Sequence, residues 1–447
     1  MAGLHFVKPG SCEQRRPVGG ASTETGLPFG WPPNEEEPTV NHPYASSRLP
    51  AILALTAALC FAAFPSLAMA GKQSGHGKSH GHHGKSHGHN GKSQGHGRGK
   101  EVRVMTRNLY LGANLTPAIG AKSLTELVAA NGKILREVTA NDFPTRAEGL
   151  ADEILAQRPD LVGLQEVALW RTAPPSLAPL QTGPSASAVR YDFLQELLAE
   201  LNGGKGKGKT QYEVVVVQQE FDLEAPADEN GKPGDGNAAQ GIPDAEINGR
   251  LTMRDVILAR RGAGVQTWNA QGSNFKNLLT VEILGAKLPV ARGWTATDAK
   301  VRGSHPFRFV NTHLEAFDPR VRAAQAAELV APGGPATSSL PVVLLGDLNS
   351  DDDTVAGPDR LAYETLLAAG MVERSTNNPL SCCLKSSLLA VGKGGSVADF
   401  NHQVDHVMTR NPSVVTLLSS AVTGLQPVNG FWSSDHAGVF SALRFAN

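Results

Sequence analysis

Pro341–Ser350 reads PVVLLGDLNS, and this stretch decides the fold class. Val342-Val343-Leu344-Leu345 is a continuous apolar run, the pattern of a strand buried on both faces. It stops abruptly at Gly346-Asp347-Leu348-Asn349. The two-residue period of a strand sends Asp347 and Asn349 to one face and leaves Leu348 in the core. A carboxylate and an amide then stand at the mouth of a sheet. The carboxylate can take a proton from water or hold a cation, and the amide can donate to an anionic oxygen without adding charge. An Asx turn at a strand end is the plain alternative.

Working outward, other strand-like runs end the same way. Val102–Met105 leads to Arg107-Asn108, and Asp160–Leu164 ends on Gln165-Glu166. Phe307–Val310 runs into Asn311-Thr312-His313-Leu314. Val404-Asp405-His406 opens another strand, and Ser434-Asp435-His436 precedes a final strand over Gly438–Phe445. Polar groups on core strands are costly unless paired or functional, so this recurrence points to one shared pocket. The oxygen-rich set Asn108, Glu166, Asp347 and Asp435 suits a hard cation, Mg2+ or else Mn2+ or Ca2+.

Between these strands the pattern predicts helices over Leu124–Gln157, interrupted near Asn141–Pro144, and over Tyr191–Leu201, Arg320–Leu329 and Tyr363–Leu367. Ala173–Ser187 and the acidic Glu224–Gly249 read as loops, and Val404–Met408 with Val414–Leu418 as a strand pair. Many strands with few helices between them predict packed sheets, not a doubly wound parallel sheet.

The chain has 447 residues, and its ends differ in character from its bulk. Residues 46–70 carry Arg48, an apolar run over Ala51–Phe64 and Ala68-Met69-Ala70, the layout of a secretory signal peptide closing a leader over 1–70. Its position predicts a translation start near Val40 or Leu49 and a secreted or periplasmic protein. Residues 71–100 hold seven of the 14 histidines among Gly, Lys and Ser, with nothing to bury, and read as a disordered linker. A metal-sequestering role for that tract is a rival reading. Residues 101–447 have the composition of a folded domain, with 31 Lys+Arg against 37 Asp+Glu. A mildly acidic domain is a poor sponge for a nucleic-acid backbone. Cys382 and Cys383 are sequence neighbours, and trans-peptide spacing favours two thiols over a disulfide.

The ordered blocks Asn108, Leu164-Gln165-Glu166, Asn311–Leu314, Gly346–Asn349, Val404–His406 and Ser434–His436 resemble the endonuclease/exonuclease/phosphatase superfamily, which takes in deoxyribonuclease-like and sphingomyelinase-like enzymes. The resemblance spans Val102–Phe445. It implies an α+β four-layer sandwich, two mixed β-sheets face to face with helices outside. It also implies a metal-dependent phosphodiesterase or phosphatase acting on nucleic acid or a phospholipid headgroup, as a monomer with no stable protein partner. Glu166 would bind the metal, with Asn108 and Asp435 beside it. Asp347 would orient or deprotonate the attacking water. Asn349 would hold a phosphate oxygen, and His436, oriented by Asp405, would contact the phosphate. His313 would be a second phosphate contact or the general acid. Arg254 is either a substrate contact or an edge-strand surface arginine. One departure stands out: Gln403-Val404 precedes Asp405 where the family places a basic residue. A non-catalytic binding module on the same scaffold would have lost motif residues, and none is missing.

Overall fold

The computed structural model describes residues 100–446, apart from 204–210, 233, 235–240, 352–356, 376–379, 391–394 and 412. The leader and nearly all of the His-rich linker lie outside the described residues. No helix of the described residues is long and apolar enough to cross a membrane.

Two mixed sheets face each other. In the first, β1 (Glu101–Asn108) lies between β2 (Leu161–Gln165), which runs parallel to it, and the antiparallel β16 (Gly438–Phe445). β15 (Val415–Thr423) flanks β16 at one side. At the other, β6 (Ile247–Arg260) pairs with β2, β3 (Leu169–Ala173) and the long β5 (Tyr212–Ala227), and β4 (Ala188–Asp192) follows β3. The second sheet runs β13 (Met371–Glu373), β14 (Asp405–Arg410), β12 (Val342–Asp347), β11 (Phe307–His313), β10 (Gly293–Val301), β7 (Val265–Asn274), with β11 and β12 parallel. A separate hairpin joins β8 (Leu279–Ile283) to β9 (Ala286–Val290).

The two-residue period explains the layering. Val102 and Val104 of β1, Phe307 and Phe309 of β11, and Val343 and Leu345 of β12 meet in the core between the sheets. The alternate residues Val342 and Leu344 face the opposite way, onto α6 (Pro319–Val330) and α7 (Leu361–Ala368). On the outer face of the first sheet, α2 (Leu124–Ala140), α3 (Phe143–Gln157) and α5 (Phe193–Gly203) bury Ile134, Leu150, Leu197 and their neighbours. The result is the expected four-layer sandwich. Helix boundaries follow local chemistry. Ser123 caps α2 by accepting from the Glu126 N–H at 3.2 Å, and Asp318 caps α6 by accepting from the Arg320 N–H at 2.8 Å.

Three expectations change. Glu224–Gly249 is not wholly loop: β5 extends to Ala227 and β6 begins at Ile247. Glu224 is buried because its carboxylate accepts from Ser185 N, Ala186 N and Asn248 Nδ2, which satisfies the charge that made the segment look unpackable. β14 and β15 belong to different sheets, because β15 pairs with β16 while β14 pairs with β12. Cys382 and Cys383 are joined by a cis peptide and their sulfur atoms lie against each other, where the sequence reading set two separate thiols apart by trans spacing.

Gly346 closes β12 at φ +149°, and a Cβ there would sit inside the Thr312 carbonyl oxygen of β11. Only glycine lets the two parallel strands approach there. Gly346→Ala should therefore cost about 3 kcal/mol, combining backbone strain with the clash. The urea midpoint measures it, and a loss below about 0.5 kcal/mol would show that the strand ends can separate freely.

Candidate active site

Strand register assembles the site. In the second sheet His313 pairs with Asp347, and Asp347 with Asp405, so three functional side chains stand abreast on β11, β12 and β14. In the first sheet Asn108 pairs with Gln165, one residue before Glu166, and the Asp435-His436 turn leads into β16 beside β1. Asn108 continues the inward face of Val102, Val104 and Thr106. Asp347 continues that of Val343 and Leu345. The two sheet ends therefore point at each other.

Asp347 is the meeting point. Asn108 Nδ2 donates to its Oδ2 at 2.9 Å across the gap between sheets. His313 Nε2 lies 3.4 Å and His436 Nε2 3.7 Å from the same oxygen. The other oxygen, Oδ1, accepts from the Asn349 backbone N–H at 2.9 Å. His436 Nδ1 lies 2.7 Å from Asp405 Oδ2. All these groups except Asn349 are buried. Burial lifts Asp347 to about 6, with Asp405 pushing the same way and His436 opposing. Burial pulls His436 down, but Asp405 and Asp347 overcome it and hold the imidazole at about 10.

His313 is held in one tautomer. Arg292 Nη1 lies 2.9 Å from His313 Nδ1. A guanidinium can only donate, so Nδ1 accepts and the ring proton sits on Nε2, facing Asp347. Burial, Arg292 and His436 all keep this imidazole well below its ordinary pKa. His313 is thus a neutral donor, which suits the phosphate-contact role better than the general-acid role.

Around this centre the loops are braced by buried arginines. Arg146 donates to the carbonyls of Asn141, Leu109, Ser433 and Tyr110 at 2.8–3.2 Å, tying the loop after β1 to the turn before β16. Arg107, fully buried, donates to the His436 carbonyl and pairs with Glu153 at 3.0 Å. Ser434 Oγ donates to the Asn108 carbonyl at 2.8 Å. Glu166 sits at φ +53°, and its Oε2 accepts from the Leu111 N–H at 2.8 Å.

One cleft is lined by Glu166, His313, Asp347, Asn349, Asp435 and His436. Asn108 and Asp405 lie behind this surface as partners of Asp347 and His436. Arg254 does not line it. Its guanidinium donates to the Val167 and Ala168 carbonyls and pairs with Asp192 at 2.6 Å, bracing the loop after Glu166. The period of β6 turns Arg254 outward and its neighbour Asp255 inward, between the sheets. Sequence reasoning missed Asp255, Glu220 and Arg292; an acid directly before the apolar run Val256-Ile257-Leu258 was the available signal.

Carboxylates of Glu166 and Asp435 at the cleft and the buried acids Asp347 and Asp405 form an oxygen-rich donor set, with four acids to the one protonated imidazole of His436. Asp347, Asp405 and His436 offer ligand atoms within 4.8 Å of one another, and Asp405 Oδ1 is buried with no hydrogen-bond partner. These features fit a divalent cation.

The chain matches the model of the Endonuclease/Exonuclease/phosphatase family over residues 130–436, and it belongs to that family. Members of the family are hydrolases acting on phosphoester bonds, generally with divalent metals. Among solved structures, an endonuclease/exonuclease/phosphatase from Beutenbergia cavernae is 20% identical, covering 78% of this chain and 72% of that one at a TM-score of 0.44. A mannosyl-6-phosphatase from Bacteroides thetaiotaomicron is 14% identical, over 77% and 100% of the two chains, at 0.42. The human Nocturnin catalytic domain with bound sulfate is 15% identical, over 77% and 94%, at 0.39. No curated protein matches the chain.

Burial lifts Asp255 well above the usual carboxylate range, and the adjacent Glu220 adds to it; burial also lifts Glu220 to about 7 against the pull of Arg292. An acid whose folded pKa is raised costs no stability below its unfolded value. The cost grows as pH rises, because the unfolded state releases its proton first. In EDTA, Asp255→Asn should therefore gain stability over wild type progressively from about pH 4 to pH 7, by on the order of 2 kcal/mol. Thermal melts across that range test this, and a pH-independent difference would contradict it.

Proposed function

We propose that this chain is a divalent-metal-dependent phosphoesterase that hydrolyses a phosphodiester, and that it is exported through its N-terminal leader. The observation that carries the reaction is the seating of Asp347. One buried carboxylate is contacted by an amide from one sheet and flanked by two imidazoles of opposite protonation state. The leader's charged start, short apolar run and Ala-X-Ala end support export.

The roles follow from the donors and acceptors present. Asp347 Oδ2 accepts a proton from a water placed against the phosphorus. Asn108 and the Asn349 backbone N–H fix the carboxylate so that it need not reorganise. His436, kept protonated by Asp405, offers Nε2–H and positive charge to a non-bridging oxygen. His313 offers Nε2–H as a neutral donor. Asn349 uses one amide N–H on the Leu314 carbonyl at 3.1 Å and has a second for the phosphate. Water adds to phosphorus as its proton passes to Asp347, the bond to the leaving oxygen breaks, and that oxygen takes up a proton from solvent while Asp347 releases its own, leaving an alcohol and a phosphomonoester. Glu166 and Asp435 would hold the cation, with Asn108 beside it, and a bound divalent cation supplies charge neutralisation at the phosphoryl oxygens.

Asp347→Ala and His436→Ala should each lower kcat/KM on bis(p-nitrophenyl) phosphate at least about 100-fold, the scale of losing a general base or a transition-state contact. EDTA should abolish turnover and Mg2+, Mn2+ or Ca2+ restore it, while Glu166→Gln should raise the cation concentration needed. Near-normal rates in either alanine variant, or activity indifferent to EDTA, would overturn the mechanism. Arg254→Met should lower thermal stability more than it alters KM, in keeping with its place behind the cleft.

A further inference from the structure

The cleft does not end at the catalytic groups. It continues inward as a cavity of about 210 Å³, more than a phosphodiester group alone requires. Away from Asp347 its walls are mostly hydrocarbon, with Asn114, Thr116 and Asn131 as polar exceptions. Ile134 of α2, Trp170 of β3, Phe221 of β5 and Leu251 of β6 form one side. Val281 and Ile283 of the β8–β9 hairpin form the other, held there by packing against Leu127 of α2 and the short helix α1 (Thr116–Ile119). The hairpin belongs to neither main sheet. Its apolar side faces the cavity, so it acts as a wall.

Charge separates the possible substrates. Arg292 is the one Lys or Arg among the described residues lining the cavity, and it is occupied by His313. A polynucleotide needs basic contacts to the phosphates on either side of the scissile one, and this lining provides none. A ligand that suits both ends carries one phosphoester head and an apolar tail.

We infer that the substrate is a single-chain lipid phosphodiester whose hydrocarbon tail enters this cavity while its phosphate sits between Asp347 and His436. This rests on the phosphoesterase reading above and adds the tail site to it. A tail drawn inside the domain leaves water one chain at a time, so selectivity is a property of the dissolved substrate and needs no bilayer. Each buried methylene strengthens binding by a constant factor until the cavity is full.

The test is a series of alkyl p-nitrophenyl phosphates, methyl to dodecyl, below their micellar concentrations, with Mg2+ and the full chain. kcat/KM should rise about 2- to 4-fold per methylene and then level off. Ala118→Trp, on the cavity wall, should flatten the rise, with its melting temperature checked against wild type. A flat series in the wild type, or a single-stranded oligonucleotide cleaved faster than the dodecyl ester, would overturn the inference while leaving the phosphoesterase reading intact. Decylphosphonate, which has no ester bond to cleave, separates the two readings. It should bind in calorimetry at least about 100-fold more tightly than methylphosphonate. Decylphosphonate binding with no ester hydrolysed would sink the catalytic reading alone. No preference for decylphosphonate would sink the tail site.

Discussion

The contact between Asn108 and Asp347 is the constraint on which the site depends. It spans two sheets, and a span of this kind exists only if both inward faces are in register at their ends. The cost of burying Asp347 is visible in its raised pKa, and it is tolerated because the carboxylate has an amide and a backbone N–H donating to it. The same oxygen lies near a charged and a neutral imidazole. Each is fixed from behind by a different partner: Asp405 for His436 and Arg292 for His313. Polarity at this point comes from second partners as much as from the groups facing the cleft.

Along the strands the inter-sheet core changes character by steps. Val104, Phe309 and Val343 are wholly apolar. One step on, Thr106, Gln165 and Asn311 form a buried polar layer, in which Gln165 Nε2 donates to Asn311 Oδ1 at 2.5 Å and Thr106 Oγ1 donates to Gln165 Oε1 at 3.2 Å. The next step is Asn108, His313 and Asp347. The intermediate layer grades a hydrocarbon core into charged groups, and it ties the sheets together directly beneath the chemistry. The cavity inverts this gradient on its other side, where charge gives way to hydrocarbon within one continuous space.

Much of the fold was legible because both of its sheets obey a simple period. The runs ending at Asn108, Gln165, His313 and Asp347 were readable as buried strands. The break in the long helical stretch fell where Asp142 adopts φ +38° between α2 and α3. Glu224 was misread because an acidic residue counts as polar until its three donors are known. Arg254 suggests a phosphate contact in the sequence because it is basic, yet strand alternation turns the arginine away and its neighbour Asp255 inward. Arg292 carried no motif at all. Its meaning lies in a 2.9 Å approach to a histidine 21 residues away.

The sequence by itself determined which strands are buried, where they stop, and which acids, amides and imidazoles stand at their ends, because side-chain period and apolar patterning are local properties. Only the tertiary structure decided that these ends face one another, which tautomer His313 holds, and that an apolar chamber opens behind the acids. Those features arise from register between strands distant in sequence and from a hairpin packed against α1 and α2. No local pattern encodes the distance between two sheets.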